Sequence, residues 1–187
     1  MNTRAFGSGR PVSLFTLGTM RALNSAAQMA EVLDAAAAAG INHLETAPAY
    51  GPAERFLGEA LRQNSSTGSD HWVITSKLLP GLSFEEGQRR LDQILERLGC
   101  PQLDNLAIHG INREEHLDWA LVGDGSKLLD WAVSSGRVSQ VGFSSHGSNP
   151  LIDRALRSQR FRFCSLHLHW LDPVSYTHLR AHETLEN

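Results

Sequence analysis

Four side chains in this sequence could together deliver a proton to a carbonyl oxygen: Glu45, Tyr50, Lys77 and His109. A tyrosine hydroxyl gives up its proton reluctantly near neutrality, and a neighbouring ammonium helps by stabilising the phenolate left behind. Lys77 could supply that ammonium to Tyr50. A carboxylate beside the lysine keeps it charged and oriented, a role open to Glu45. A histidine across the pocket can hydrogen-bond the oxygen as negative charge develops on it, a role open to His109. Such a set protonates an alkoxide while hydride arrives at carbon. None of the four is a hydride donor, so the chemistry calls for a nicotinamide cofactor.

Taken singly, each residue is weak evidence, because a Lys, Tyr or His near a strand end is usually structural or solvated. His43, His71, His146, His167 and His169 dilute the histidine signal further. The weight comes from placement. Six β-rich runs, at residues 12–17, 41–46, 72–76, 103–108, 138–143 and 161–167, alternate with amphipathic helical stretches, the pattern of parallel strands joined by crossover helices. Glu45 and Tyr50 fall at the end of the second run, Lys77 at the third and His109 at the fourth.

The helices carry their own boundary signals. Ser25 with Gln28 forms a capping box before the apolar face of Met29, Val32, Leu33 and Ala36, and Gly40 supplies a left-handed stop. Ser83 with Glu86 repeats the start signal before Leu91, Ile94, Leu95 and Leu98, and Gly99 ends that helix. Asn149 and Pro150 place a cap and a first-turn proline ahead of Leu151, Ile152, Ala155 and Leu156. An open doubly wound sheet would want G-x-G-x-x-G directly after its first strand. That motif is absent, and Gly7-Ser8-Gly9 reads instead as the turn of a small hairpin. The predicted fold is therefore α/β, a (β/α)8 TIM barrel whose chemistry gathers on the rim at the C-terminal strand ends. About six of its eight units are present.

Five segments resemble the aldo-keto reductase family: GINHLETAPAYGPAE, WVITSKL, LDNLAIHGIN, LGTM and VSQVGFSSHG. The likeness covers residues 6–172. It implies a barrel that binds NADPH and interconverts carbonyls and alcohols without metal. Tyr50 is then the general acid, Lys77 the group that eases its proton release, His109 the orienting donor and Glu45 the acid partner. Gly18, Thr19 and Met20 match the loop against the nicotinamide ribose, and Ser144 and Ser145 the carboxamide contacts. The family places aspartate where Glu45 stands, asparagine where Ser145 stands and often glutamine where Leu166 stands. It also implies two further units bearing the residues that hold the adenosine phosphate. The expected domain is thus residues 1–173, the N-terminal part of such a barrel. Residues 174–187, VSYTHLRAHETLEN, read as a foreign or disordered tail.

Composition narrows the remaining classes. Of 187 residues 41% are hydrophobic, enough to bury a core, and a net charge of −3 gives no pull toward nucleic acid or an anionic membrane. Two distant cysteines, Cys100 and Cys164, encode neither a disulfide framework nor a metal site, which fits a reducing cytoplasm. His167 and His169 share a strand face, but no helical His pair supports a metal centre. The expected partner is a small aldehyde, ketone or alcohol. The open remnant should self-associate through its exposed strands. Two other readings stay open: a barrel-derived binding or regulatory protein without turnover, and a lyase using Lys77 as a Schiff-base nucleophile.

Overall fold

A computed structural model describes residues 2–63 and 69–167. His169 and residues 174–187 lie outside the described residues.

The chain opens with a hairpin, β1 (Thr3–Arg4) antiparallel to β2 (Val12–Ser13). Its turn carries Gly7 at φ 56°, where a Cβ would come within 2.4 Å of Gln140 Oε1 and 2.5 Å of the Arg162 carbonyl. Only glycine fits there. The expected strand at 12–17 is therefore split. Ser13 donates its hydroxyl to the Phe15 carbonyl at 2.6 Å, a local bond that competes with the ladder, and the chain rejoins a sheet only at β3 (Thr16–Gly18).

From β3 onward the chain alternates strand and helix. The elements are α1 (Ala26–Ala38), β4 (His43–Glu45), α2 (Ala53–Gln63), β5 (Val73–Leu78), α3 (Phe84–Leu98) and β6 (Leu103–Ile108). After them come α4 (Glu114–Leu121), α5 (Gly123–Ser134), β7 (Val138–Ser145), α6 (Asn149–Arg157) and β8 (Cys164–Leu166). All six strands from β3 to β8 pair in parallel and in sequence order. A doubly wound sheet reverses its strand order at a switch point, whereas a barrel does not. The sheet is accordingly six strands of an incomplete (β/α)8 barrel.

The helix starts follow the local chemistry. Ser25 and Ser83 accept from the Gln28 and Glu86 amides, and Gly99 ends α3 at φ 69°. At α6 the cap is Ser148 rather than Asn149, which is already helical, and the Ser148 side chain makes no cap bond. The helices cover the sheet with Leu33, Leu57, Leu91 and Ile94, which pack with Leu106 of β6, all fully buried. Cys100 and Cys164 form no disulfide, and burial pushes the Cys100 thiol up to about 11, so it stays protonated and inert at neutral pH. Among the described residues no helix is long and apolar enough to cross a membrane.

Inside the half barrel runs a belt of polar side chains, one from each of five neighbouring strands. His43 bonds Thr16 Oγ1 through Nδ1 and Thr75 Oγ1 through Nε2, both at 2.8 Å. Asn105 Nδ2 donates to Thr75 Oγ1 at 3.1 Å, and Gln140 Nε2 donates to Asn105 Oδ1 at 2.6 Å. The hairpin closes this end: Gln140 Nε2 also donates to the Phe6 carbonyl, and the Phe6 ring lies 4.9 Å from His43 and 4.8 Å from Phe163.

Burial holds His43 below the ordinary histidine range, against the opposing pull of Glu45 and Asp104. The unfolded chain therefore takes up this proton first, so stability is whole above about pH 6.5 and is lost as pH falls below it. Urea midpoints at about pH 7.5 and about pH 5 should show the decline, and His43→Gln should make it shallower. An unchanged pH slope in that variant would contradict the assignment.

Candidate active site

The loop after β4 sets Tyr50. Thr46 N–H donates to the Thr75 carbonyl at 2.9 Å, Tyr50 N–H to Ala47 O at 3.0 Å, and Ala53 N–H to Tyr50 O at 3.2 Å. Gly51 turns the chain at φ 60° into α2. These bonds bring the phenol back over the strand ends. Lys77, on β5, donates from Nζ to the Tyr50 hydroxyl at 2.7 Å and to Glu45 Oε1 at 2.5 Å. The lysine side chain is 3% exposed and the glutamate 27%, so this charge-assisted link is largely shielded from water. The extra methylene of Glu45 relative to aspartate is accommodated without losing the pair. Lys77 Nζ also lies 4.6 Å from the Tyr50 ring centroid.

His109 follows β6, held by its N–H to the Leu78 carbonyl at 2.7 Å. Its ring stands edge-on to Tyr50, with centroids 5.9 Å apart and planes at 89°. Burial, then the Lys77 charge, keeps His109 below the ordinary histidine range. The ring is thus a neutral hydrogen-bond donor at neutral pH and becomes a cation only in more acidic solution. An NMR titration of this ring should find a midpoint under about 6.5; a higher one would contradict the described environment.

All four residues border one cleft of about 430 Å³, with Ser144, His146 and Leu166 on its far wall. Ser144 Oγ accepts from Gly110 N–H at 3.1 Å beside this opening. Ser145 faces elsewhere: its hydroxyl donates to the Ile111 carbonyl at 2.5 Å and accepts from Gly147 N–H at 2.9 Å, which fixes the loop after β7. On the loop after β3, Thr19 N–H donates to the Glu45 carbonyl at 2.9 Å, Met20 is exposed, and a Cβ built on Gly18 would meet nothing within 4 Å. The Thr19 hydroxyl is fully buried without a partner. A buried orphan hydroxyl, an open glycine and a cleft-facing serine suit the polar ring and ribose of a nicotinamide. Among the described residues no cluster of three or more potential ligands could hold a metal ion.

Glu54 was given no role by sequence reasoning, although it closes the motif YGPAE. It lies in the first turn of α2 and is 1% exposed. Ser76 Oγ donates to it at 2.6 Å, and Arg97 donates Nε at 2.7 Å. Burial raises the Glu54 carboxyl, opposed by these bonds. The residue ties α2, β5 and α3 together next to both Tyr50 and Lys77. Its spacing from Tyr50 was the available signal; its partners come from elements far away in sequence.

A family model described as the Aldo/keto reductase family matches residues 14–186. A 6-dehydroglucose reductase of Novosphingobium aromaticivorans is 30% identical over 155 residues, covering 74% of this chain and 49% of the relative. The chain thus spans about half the length of that curated relative. A Pseudomonas aeruginosa protein described as an aldo-keto reductase superposes with TM-score 0.81 at 26% identity, over 96% of this chain and 72% of that one. A Bacillus halodurans aldo-keto reductase in its holo form shares the fold, with TM-score 0.74 at 21% identity over 90% of this chain and 58% of its own.

Proposed function

This chain belongs to the aldo/keto reductase family, and on that footing we propose that the protein to which it belongs is an NADPH-dependent carbonyl reductase, running in reverse as an alcohol dehydrogenase. The observation that carries the reading is the ammonium of Lys77, bonded at once to Glu45 and to the Tyr50 hydroxyl on the floor of a cleft. The chemistry supplied by NADPH when bound is the hydride. Gly18, Thr19, Met20 and Ser144 hold the nicotinamide end, with Ser145 shaping the loop behind it.

His109 donates to the substrate's carbonyl oxygen and strengthens that bond as negative charge grows there. Tyr50 gives its proton to the same oxygen. Lys77 stabilises the phenolate that remains, and Glu45 keeps the lysine charged and oriented. The same pairing disfavours a Schiff-base role, which needs the free amine. The N. aromaticivorans relative is named for a sugar carbonyl, and the polar cleft residues Asn112, His146 and Ser165 would suit a hydroxylated substrate here too. A cytoplasmic location and self-association of the open half barrel belong to the same proposal.

The test is an assay of the longer protein with NADPH and a panel of aldehydes and ketones. Carbonyl-dependent loss of reduced nicotinamide absorbance is expected. A fully folded protein that binds NADPH but turns over no carbonyl would favour a binding role, and borohydride-trapped substrate on Lys77 would favour the lyase.

A further inference from the structure

Beneath the cleft lies a second, smaller chamber of about 90 Å³, walled by Thr16, His43, Thr75 and Phe6 and roofed by Glu45 and Lys77. Glu45, Lys77 and Ser165 border both spaces, so the ion pair forms part of the partition between them. One water needs only about 10–15 Å³ of such space together with polar partners, and this chamber offers several. An ammonium carries three hydrogens, and the bonds to Glu45 and Tyr50 use two.

The floor of the chamber has an unusual freedom. The Asn105 amide donates to Thr75 Oγ1, a direction set by the Gln140 amide donating to Asn105 Oδ1. The single hydrogen of the Thr75 hydroxyl then has two places to go. Pointed at His43 Nε2, it leaves the ring hydrogen on Nδ1, donating to Thr16. Pointed into the chamber, it requires the ring hydrogen on Nε2, with Thr16 donating to Nδ1. Both arrangements satisfy every group, because a hydroxyl and a neutral imidazole each donate and accept. Passing from one to the other moves one proton along Thr16–His43–Thr75, and Thr16 is exposed at the far end.

We propose that the chamber holds water and that Thr16, His43 and Thr75 form a proton wire feeding the underside of the Lys77–Glu45 pair. The proposal rests on the reductase reading for its purpose, since it resupplies the proton that Tyr50 spends. An N–H bond of Lys77 breaks as the Tyr50 O–H reforms. The resulting amine takes a proton from chamber water, and that water is reprotonated by the Thr75 hydroxyl. Thr75 takes the hydrogen from His43 Nε2, Nδ1 takes one from Thr16, and solvent reprotonates Thr16. No electrons are transferred, and the source of the proton is bulk water. The titratable groups facing His43 are Glu45 on its own strand, Lys77 on β5, Asp104 on β6 and Cys164 on β8. His43 and Thr75 are positioning residues that act through Lys77.

The experiment uses the cofactor-free chain, with NMR as the readout. A long-lived water should show cross-relaxation to the side-chain hydrogens of Thr75 and His43. Exchange of the Lys77 ammonium hydrogens with solvent should slow by about tenfold or more in Thr75→Val, as expected when a positioned proton donor is lost, and recover in Thr75→Ser. Should Thr75→Val fail to fold, Thr16→Val cuts the wire at its exposed end and should slow the same exchange. A chamber without bound water, or unchanged Lys77 exchange in a folded Val variant, would overturn the proposal. Turnover plays no part in these readouts, so failure of the reductase reading would appear separately, in the carbonyl assay.

Discussion

Tyr50→Phe in the longer protein should lower turnover by about 10²–10⁴-fold, the usual contribution of a positioned general acid, while NADPH binding changes little. The ring that stands edge-on to His109 is retained, so the cleft keeps its shape. What disappears is the one hydroxyl that Lys77 holds at 2.7 Å. Lys77 keeps Glu45 as its partner and stays charged, which limits structural damage. The measurement is steady-state kinetics beside cofactor titration by fluorescence. A comparable fall in kcat and kcat/KM is the expected signature of an interaction made in the transition state. A variant that retained a similar rate would remove Tyr50 from the mechanism.

Gly58→Ala should destabilise the fold by about 2–3 kcal/mol, although alanine is ordinarily the better helix former by about 1 kcal/mol. Gly58 sits mid-way along α2, where a Cβ would lie 2.0 Å from the Arg97 carbonyl oxygen and 3.0 Å from the backbone carbonyl carbons of Arg97 and Leu98. The obstacle is the backbone at the end of α3, which cannot rotate aside as a side chain would. The helices must separate, and separation pulls Arg97 from Glu54 at the point that anchors α2 beside Tyr50 and Lys77. For a chain of this size the loss corresponds to a melting temperature lower by roughly 5–10 °C. Gly18→Ala, where a Cβ would meet nothing, is the matching control. A Gly58→Ala protein melting at or above the parent temperature would show that the helices are not in fixed contact.

Most of the architecture was legible because its signals are local. Ser25 and Ser83 cap the helices they precede through amides only three residues away, and Gly99 needs only its own positive φ. Alternation of β-rich and amphipathic stretches was enough to anticipate six parallel strands. The failures are also instructive. The run at 12–17 has one continuous β composition, yet Ser13 bonds Phe15 O and Asn42 Oδ1, and the second partner is distant in sequence. The break between α4 and α5 rests on Val122 in extended backbone and Gly123 at φ 72°, with Gly125 pressed against the Trp119 carbonyl; no periodicity announced it.

For the site, residue types at strand ends were sufficient to collect Glu45, Tyr50, Lys77 and His109, because a parallel barrel sends every C-terminal strand end to one rim. What types and spacings could not decide were contacts between strands. Tertiary structure alone placed Lys77 between Glu45 and Tyr50, turned Ser145 to the Ile111 carbonyl instead of the cleft, gave Glu54 its Arg97 and Ser76 partners, and aligned Thr16, His43, Thr75, Asn105 and Gln140 into one belt. The sequence by itself determined which chemistry was available and on which end of the sheet it would stand, since caps, turns and strand periods act within a few residues. Which groups meet was settled by register and helix packing, because a hydrogen bond depends on sub-ångström distances between atoms that sequence separates by tens of residues.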